Sequence, residues 1–393
     1  MSAPHHHTNR VVIVGGGVAG LSIAVRLAQS GVSVTVLESS KLGQEASTRN
    51  QGWLYSGAWF APQRMDLAQM CYESYEHTLR FCPEALEPHC GPMVYLTQDA
   101  DTDVDLWMNA WEGAGIPYSP LTSEKLFERF PHLAIAQAAE AFELPDRAIR
   151  PPILLKRLAQ VAELAGAEIR TQAPVTQLHI SDDQVTGVEV AQSETLHARL
   201  VILAGNAVGS FLLPRYGAGR PAGSQLAMAL VAQKSHLIAV RPGICEHPLC
   251  VMDLDGFNHV PHPPVSVFGS NRWIPVADGS NAQPDPAEID YIWSQVGRLF
   301  PDVTRDNRQS IEWAGTTVQA MYIDQVEPGR APLPTVIDHS REAPAVENLI
   351  SVFAGRATLW PHLAEMTCKV VLKKLESQKS TAAAPPWGTV ARP

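Results

Sequence analysis

The stretch Val11-Val12-Ile13-Val14-Gly15-Gly16-Gly17-Val18-Ala19-Gly20 decides the reading of this chain. Four apolar residues in a row read as a strand buried on both faces, and the glycines at 15, 17 and 20 reproduce the G-x-G-x-x-G spacing directly after it. Each glycine answers a separate steric demand. Gly15 permits a tight turn, Gly17 lets a pyrophosphate approach the backbone, and Gly20 lets helix and strand pack closely. The helix expected over Leu21 to Ser30 packs through Leu21, Ala24, Val25 and Ala28 and aims its positive N-terminal end at the negative charge. Gly31 is placed to stop it, and Ser33 to Leu37 read as the next strand. Glu38 ends that strand, about 20 residues on from the turn, where a carboxylate binds ribose hydroxyls and disfavours a 2′-phosphate. On this βαβ motif alone the dinucleotide is FAD or NAD.

Outward from the motif, 393 residues exceed the usual single domain, so two domains, or one interrupted by another, are expected. Apolar residues make up 45% and charged residues 18%, the balance of a globular enzyme with a large core. A net charge of −10 without a basic block argues against nucleic acid and acidic lipid as partners. The six cysteines, Cys71, Cys82, Cys90, Cys245, Cys250 and Cys368, are scattered without a CxxC, which predicts reduced thiols, a cytoplasmic location and no metal site. Arg10 and the uncharged run to Val25 imitate a signal peptide, but the glycines interrupt its hydrophobic segment. No transmembrane segment is expected, and His5 to His7 read as a mobile terminus.

Further along, helices are expected over Asp66 to Cys82, Trp107 to Gly113 and Ser123 to Phe130, with a strand over Gly91 to Thr97. Pro151 and Pro152 open an amphipathic helix through Ala165. Glu168 to Thr171, Val175 to Ile180 and Val185 to Val190 look like a β-meander, and Leu200 to Leu203 resumes the parallel sheet. Residues Gln225 to Gly315 suggest a mostly β unit carrying a helix over Pro286 to Phe300. Leu349 to Phe353 is a further buried strand, followed by a helix over Pro361 to Leu375 and a flexible tail, 379-393. His259 and His262 form an HxxH, but prolines at 261, 263 and 264 exclude a regular helix, so a loop with satisfied histidines is expected.

The segment Ala46-Ser47-Thr48-Arg49-Asn50-Gln51-Gly52-Trp53-Leu54-Tyr55-Ser56-Gly57 resembles the second flavin-contacting stretch of the D-amino-acid oxidase superfamily. That superfamily includes glycine, sarcosine and D-amino-acid oxidases, glycerol-3-phosphate dehydrogenase and L-2-hydroxyglutarate dehydrogenase. Phe60-Ala61-Pro62 and Leu67 to Cys71 are most similar to the hydroxyglutarate branch; Pro174-Val175, Val201 to Gly205 and Asn348 to Arg356 extend the resemblance over most of the chain. It implies FAD, held non-covalently since Cys368 lies within the last helix. Gly15, Gly17, Val18, Ala19, Gly20, Glu38, Ser39, Ser47, Thr48, Arg49, Asn50, Gln51, Gly52, Val175, Ala204, Gly205, Gly355, Arg356, Ala357 and Thr358 are the cofactor-binding residues implied. The C-terminal turn departs from the family by lacking its run of glycines and carrying Trp360.

In the hydroxyglutarate branch a histidine stands where Tyr55 stands here. Oxidising an alcohol needs a base for the hydroxyl proton, whereas a neutral amine gives up hydride from its α-carbon without one. His362, following the flavin-edge turn, is the first candidate for a substitute base. Arg272, Arg330 and Arg356 are candidates for a substrate carboxylate, because guanidinium binds it bidentately; Tyr55 and Trp53 are candidates for the pocket wall.

The fold expected is α/β: a discontinuous Rossmann-type FAD-binding domain (9-60, 150-215 and 335-378) with a mixed-sheet α+β substrate domain (61-149 and 216-334). The reaction expected is hydride transfer from a small amine or amino acid to flavin N5, with oxygen as acceptor. The alternatives are dehydrogenation of a 2-hydroxy acid with a quinone or other carrier as acceptor, and a flavin-binding module without activity.

Overall fold

Val11–Val14 is buried along its whole length because it is a central strand, paired in parallel with Leu200–Leu203 on one side and Val34–Leu37 on the other. In the computed structural model, which describes residues 10–134, 140–191, 194–205, 228–276, 282–322, 333–341 and 345–382, these strands belong to a six-stranded sheet. Its order is Thr335–Asp338, Leu349–Phe353, Leu200–Leu203, Val11–Val14, Val34–Leu37, Glu168–Arg170, parallel apart from the antiparallel first pair. Three helices, Val18–Gln29, Pro151–Leu164 and Trp360–Ala382, cover one face through Leu21, Leu158, Leu363 and their neighbours. A three-stranded meander covers the other, packing Leu178, Val185 and Val188 on Val12, Leu37 and Val201. Each such aliphatic side chain contributes on the order of 1.5–3 kcal/mol when fully buried.

Two expectations are corrected here. Glu168–Arg170 leaves the meander and joins the large sheet beside Val34–Leu37, because the Pro151–Leu164 helix returns the chain to the sheet edge as a parallel crossover. The meander consists of Val175–Ser181, Gln184–Val190 and Glu194–His197. The last helix continues to Ala382, through the first residues expected to form the tail. Residues 383–393 and His5 to His7 lie outside the described residues.

The second sheet has nine strands and is mixed, as expected for the α+β half. Its longest members, Met228–Arg241 and Gln309–Tyr322, form an antiparallel ribbon. The Pro286–Leu299 helix, begun by an Asp285 side chain that accepts from Ala287 N, lays Ile289, Ile292 and Val296 on one face of the sheet. The opposite face meets Tyr55, Phe60 and Trp111, so the segment after the glycine motif is clasped between the two halves.

His259 and His262 lie on a strand, Phe257–His262, instead of a loop. Proline is tolerated there because the neighbouring Leu249–Val251 strand ends opposite His259, leaving Pro261 no ladder bond to lose on that side. His259 is fully buried and its ring is satisfied: Nδ1 faces the His247 carbonyl at 3.0 Å and Nε2 the Ser266 hydroxyl at 2.7 Å. The carbonyl only accepts, so the proton sits on Nδ1 and the ring is neutral. Burial pulls its pKa from the ordinary 6.5 down to about 4. Between those values the unfolded chain binds a proton that the folded chain does not, so stability falls as pH drops through that window. Thermal melts of wild type and His259→Gln are expected to differ most near neutrality and to converge from pH 6.5 to 4; a constant gap would contradict the neutral buried ring.

Candidate cofactor and substrate site

A cleft with about 1140 Å³ of space between atoms, its solvent-open mouth included, lies where the C-terminal edge of the six-stranded sheet faces the second sheet. Its floor begins at the glycine turn. Gly15 has φ +115°, and a Cβ there would stand 2.8 Å from the Ala204 carbonyl oxygen. A Cβ on Gly20 would stand 1.9 Å from the Gly15 oxygen, so helix and turn touch through backbone alone. Gly17 caps the Val18–Gln29 helix and lines the cleft with Val18 and Ala19; Val18 N donates to Ser47 Oγ at 3.0 Å. Glu38 accepts from Gly16 N at 2.8 Å, from Ser40 N at 2.9 Å and from Ser39 Oγ at 3.1 Å, which fixes its carboxylate beside the turn. Ala173 N donates to Glu38 O and so holds the Pro174-Val175 segment next to it.

The wall from Ala46 to Gln51 is braced by its own polar groups. Asn50 Nδ2 donates to the Ala46 and Ser47 carbonyls, its Oδ1 accepts from Gly52 N, and the Thr48 hydroxyl donates to Gly43 O. Arg49 pairs with Glu45 at 3.6 Å, and its carbonyl accepts from Trp313 Nε1 at 3.2 Å. Gly52, at φ +71°, presents the backbone to His262, whose Nε2 donates to Gln51 O at 2.8 Å while Nδ1 lies 2.6 Å from Glu87. Sequence reasoning had treated His262 only as half of a histidine pair; its bond to the cleft wall needs a contact across 211 residues.

At the other end Arg356 is surrounded by aromatic rings, with its guanidinium carbon 5.0 Å from the centroid of Trp273, 5.2 Å from Phe60 and 5.7 Å from Tyr55. Among the described residues its Nε has no hydrogen-bond partner, and neither has the Nδ2 of Asn271, which lines the same cleft. Asn271 Nδ2 is packed against Gly256, where a Cβ would stand 2.3 Å from it. Tyr55 stacks on Trp53 at 4.2 Å and its N–H meets Thr358 Oγ1 at 3.2 Å. Burial pushes its phenol far above the ordinary range, with Arg356 opposing, so Tyr55 stays protonated and is no base near neutrality.

Beneath this pair lies Asp146, fully buried, which sequence reasoning did not single out. It accepts from Trp53 Nε1 at 2.7 Å, from Ser56 N at 3.1 Å and from the Ser56 hydroxyl, holding the residues on both sides of Tyr55. Burial pushes its carboxyl up while these donors pull it down.

Of the implied cofactor residues, Gly17, Val18, Ala19, Ser47, Arg49, Asn50, Gln51, Ala204, Gly355, Arg356, Ala357 and Thr358 line the cleft together. Gly15, Gly20, Thr48, Gly52 and Gly205 shape or adjoin its backbone, and Glu38, Ser39 and Val175 stand behind the turn. Of the catalytic candidates, Tyr55 and Arg356 line the cleft. His362 does not: the helix starting at Trp360 carries it into a separate groove, where it bonds Ser74 Oγ at 2.9 Å and Glu73 at 3.2 Å. Arg272 also points away, to Glu288 at 3.1 Å and onto the Tyr291 ring at 4.1 Å, while its chain neighbours Asn271 and Trp273 face the cleft. Arg330 lies outside the described residues. Trp360 is buried against the Met65–Phe81 helix with its Nε1 on Thr78 Oγ1 at 3.0 Å. Cys368 is buried beside Ser30, away from the cleft. Among the described residues there is no cluster able to hold a metal, and no helix is long and apolar enough to cross a membrane.

The glycine cradle, the helix N-terminus at its rim and the Gly355–Thr358 backbone at the far end fit a long dinucleotide carrying a planar ring. A family model described as FAD dependent oxidoreductase matches residues 10–350. Anaerobic glycerol-3-phosphate dehydrogenase subunit A1 of Haloferax volcanii is 32% identical over 180 residues, 46% of this chain and 30% of that one. Glycine oxidase of Pseudomonas aeruginosa is 28% identical over 219 residues, 53% of this chain and 58% of that one. The matches thus span less than two thirds of the length of either relative. Among solved structures, glycine oxidase from Bacillus cereus ATCC 14579 superposes with a TM-score of 0.72 at 20% identity, covering 93% of this chain and 96% of that one.

Replacing Asp146 by Ala would leave Trp53 Nε1, Ser56 N and the Ser56 hydroxyl, and at longer range the Tyr95 hydroxyl, without their acceptor, at about 1 kcal/mol or more for each close donor. A loss of about 3 kcal/mol in urea unfolding is expected, with a smaller loss for Asp146→Asn, which keeps one acceptor.

Proposed function

As the chain belongs to the FAD dependent oxidoreductase family, we propose that it oxidises a small amino acid or related carboxylate-bearing amine, yielding an imine that hydrolyses, with oxygen taking up the electrons. The observation that carries this reading is the composition of the cleft wall: among the described residues lining it there is no histidine, aspartate or glutamate. An alcohol donor needs a group to take its hydroxyl proton, and the one phenol present, Tyr55, is held protonated. A substrate amine that has already lost its proton needs none.

Bound FAD supplies the two-electron acceptor. The chain's own contribution is to bind and orient. Arg356, which lines the cleft among the rings of Trp273, Phe60 and Tyr55, would take the substrate carboxylate. The same rings exclude water from the reacting carbon, which strengthens the charge pairing. The Gly355–Thr358 main chain lines the cleft, and apart from Arg356 N–H, which donates to Ala354 O, its N–H groups would favour the negative charge that bound FAD takes up on reduction. Both a glycerol-3-phosphate dehydrogenase and a glycine oxidase are relatives, so donors of the CH–NH and CH–OH kinds lie within the family's range.

Anaerobic absorbance spectra with a panel of amino acids, secondary amines and 2-hydroxy acids test the proposal. Bleaching of the flavin band by amines is expected; bleaching by hydroxy acids alone would replace it with 2-hydroxy-acid dehydrogenation and a carrier as acceptor. For a reactive amine, log kcat/KM is expected to rise with pH up to the ammonium pKa of the substrate used and to shift when a less basic amine is substituted. A limb that stays fixed across substrates would reveal a base on the protein. Charge-assisted hydrogen bonds contribute about 1.5–3 kcal/mol, so Arg356→Met is expected to raise KM roughly 10- to 100-fold, measured by steady-state oxygen consumption.

A further inference from the structure

His262 ends the Phe257–His262 strand of the second sheet, yet its ring reaches the segment that walls the cleft. A short ladder brings its partners together. Trp53–Leu54 pairs antiparallel with Arg147–Ala148, Ile149 N donates to Gly52 O at 2.8 Å, and Glu87 N donates to Ala148 O at 3.0 Å, so residues 147–149 run between Gly52 and Glu87. The His262 ring spans both sides of this ladder: Nε2 lies 2.8 Å from Gln51 O and Nδ1 lies 2.6 Å from Oε1 of the buried Glu87. Position 52 admits the ring because it has no side chain; a Cβ there would stand 2.7 Å from Cε1 and 2.8 Å from Nε2.

Counting protons fixes the state of this contact. A carbonyl only accepts, so Nε2 carries a proton, and a second proton must lie between Nδ1 and the carboxyl group, on one or the other. With one proton the ring cannot serve both acceptors. That proton goes to the carboxylate, the charged and therefore stronger acceptor, and the Nε2 lone pair is left against Gln51 O. The other charged and titratable groups around the pair are Arg150, whose Nε is 4.0 Å from Glu87 Oε2, the His259 ring, kept neutral by burial, and the Cys90 thiol, which burial pushes up to about 11. Arg147 turns to Cys90 O at 2.8 Å. We propose that His262 is a positioning residue for FAD, holding Gln51 in the cleft wall only while the His262–Glu87 pair keeps its second proton. FAD affinity is then full below the pH at which the pair gives up that proton and falls as pH rises through it. The inference rests on the family's cofactor and not on the substrate, so it stands or falls separately from the amine reading.

Equilibrium dialysis of the FAD-loaded full chain, from acid to alkaline pH, gives the FAD dissociation constants that test this. Wild type is expected to bind FAD roughly tenfold more weakly on the alkaline side, the loss of one hydrogen bond to the cleft wall. Glu87→Gln separates a proton-linked contact from a merely structural one. Its amide can donate to Nδ1 of a neutral ring whose proton stays on Nε2, so its affinity is expected to match acid-side wild type and to hold at alkaline pH. His262→Gln has donors at one end only and can serve one acceptor, so it is expected to bind roughly tenfold more weakly than acid-side wild type at every pH. Titration of FAD itself is common to all three proteins and cancels between them. A wild-type curve parallel to that of Glu87→Gln, or a Glu87→Gln variant that binds more weakly than wild type throughout, would overturn the proposal. Circular dichroism checks the fold of each variant, and if His262→Gln does not fold, the comparison of wild type with Glu87→Gln decides by itself.

Discussion

The contact between Gly20 and the carbonyl of Gly15 is the constraint from which the rest of the site follows. With less than 2 Å available where a Cβ would sit, the Val18–Gln29 helix is drawn onto the end of the Val11–Val14 strand, and its unpaired N–H groups open at the C-terminal edge of the parallel sheet. Gly15 in turn abuts Ala204 and Gly205, so the returning Leu200–Leu203 strand must end at the same level. The cleft floor is therefore made of backbone, in the one region where side chains would fill it.

The walls depend on longer-range bonds. Asp146 holds Trp53 and Ser56 from below, and His262 holds Gln51 from the side with Glu87 behind it. Both act on the segment between Ala46 and Ser56, which is sandwiched between the two sheets and has little regular structure of its own. Such a segment keeps a single conformation only if its polar groups are saturated, and here the bracing groups are buried, where an unpaired donor is costly. Among the residues lining the cleft, Arg356 Nε and Asn271 Nδ2 have no hydrogen-bond partner among the described residues.

The chemistry is shaped by omission as well as by provision. The cleft has a cation framed by aromatic rings, a protonated phenol and backbone amides, but no described side chain suited to accept a proton. His362 illustrates how little sequence proximity guarantees: six residues after Arg356, it faces a different groove because the intervening turn of helix rotates it onto the Met65–Phe81 helix. Arg272 is turned away by the alternation of an extended segment, which sends Asn271 and Trp273 to the cleft in its place.

The sequence by itself determined the parallel sheet and the glycine turn with Glu38 behind it, because each is encoded within a few dozen consecutive residues by steric need or periodicity. It also pointed to the 46–57 segment, Arg356 and Tyr55 through a resemblance that covers most of the chain in segments. Only the tertiary structure decided that Glu168–Arg170 joins the large sheet, that Asp146 and His262 support the cleft wall, and that Asn271 and Trp273 face the cleft while Arg272 turns away. Those features are made by contacts between strands far apart in the chain. No local pattern records which face of a strand will meet a cavity until the register of its partner is fixed.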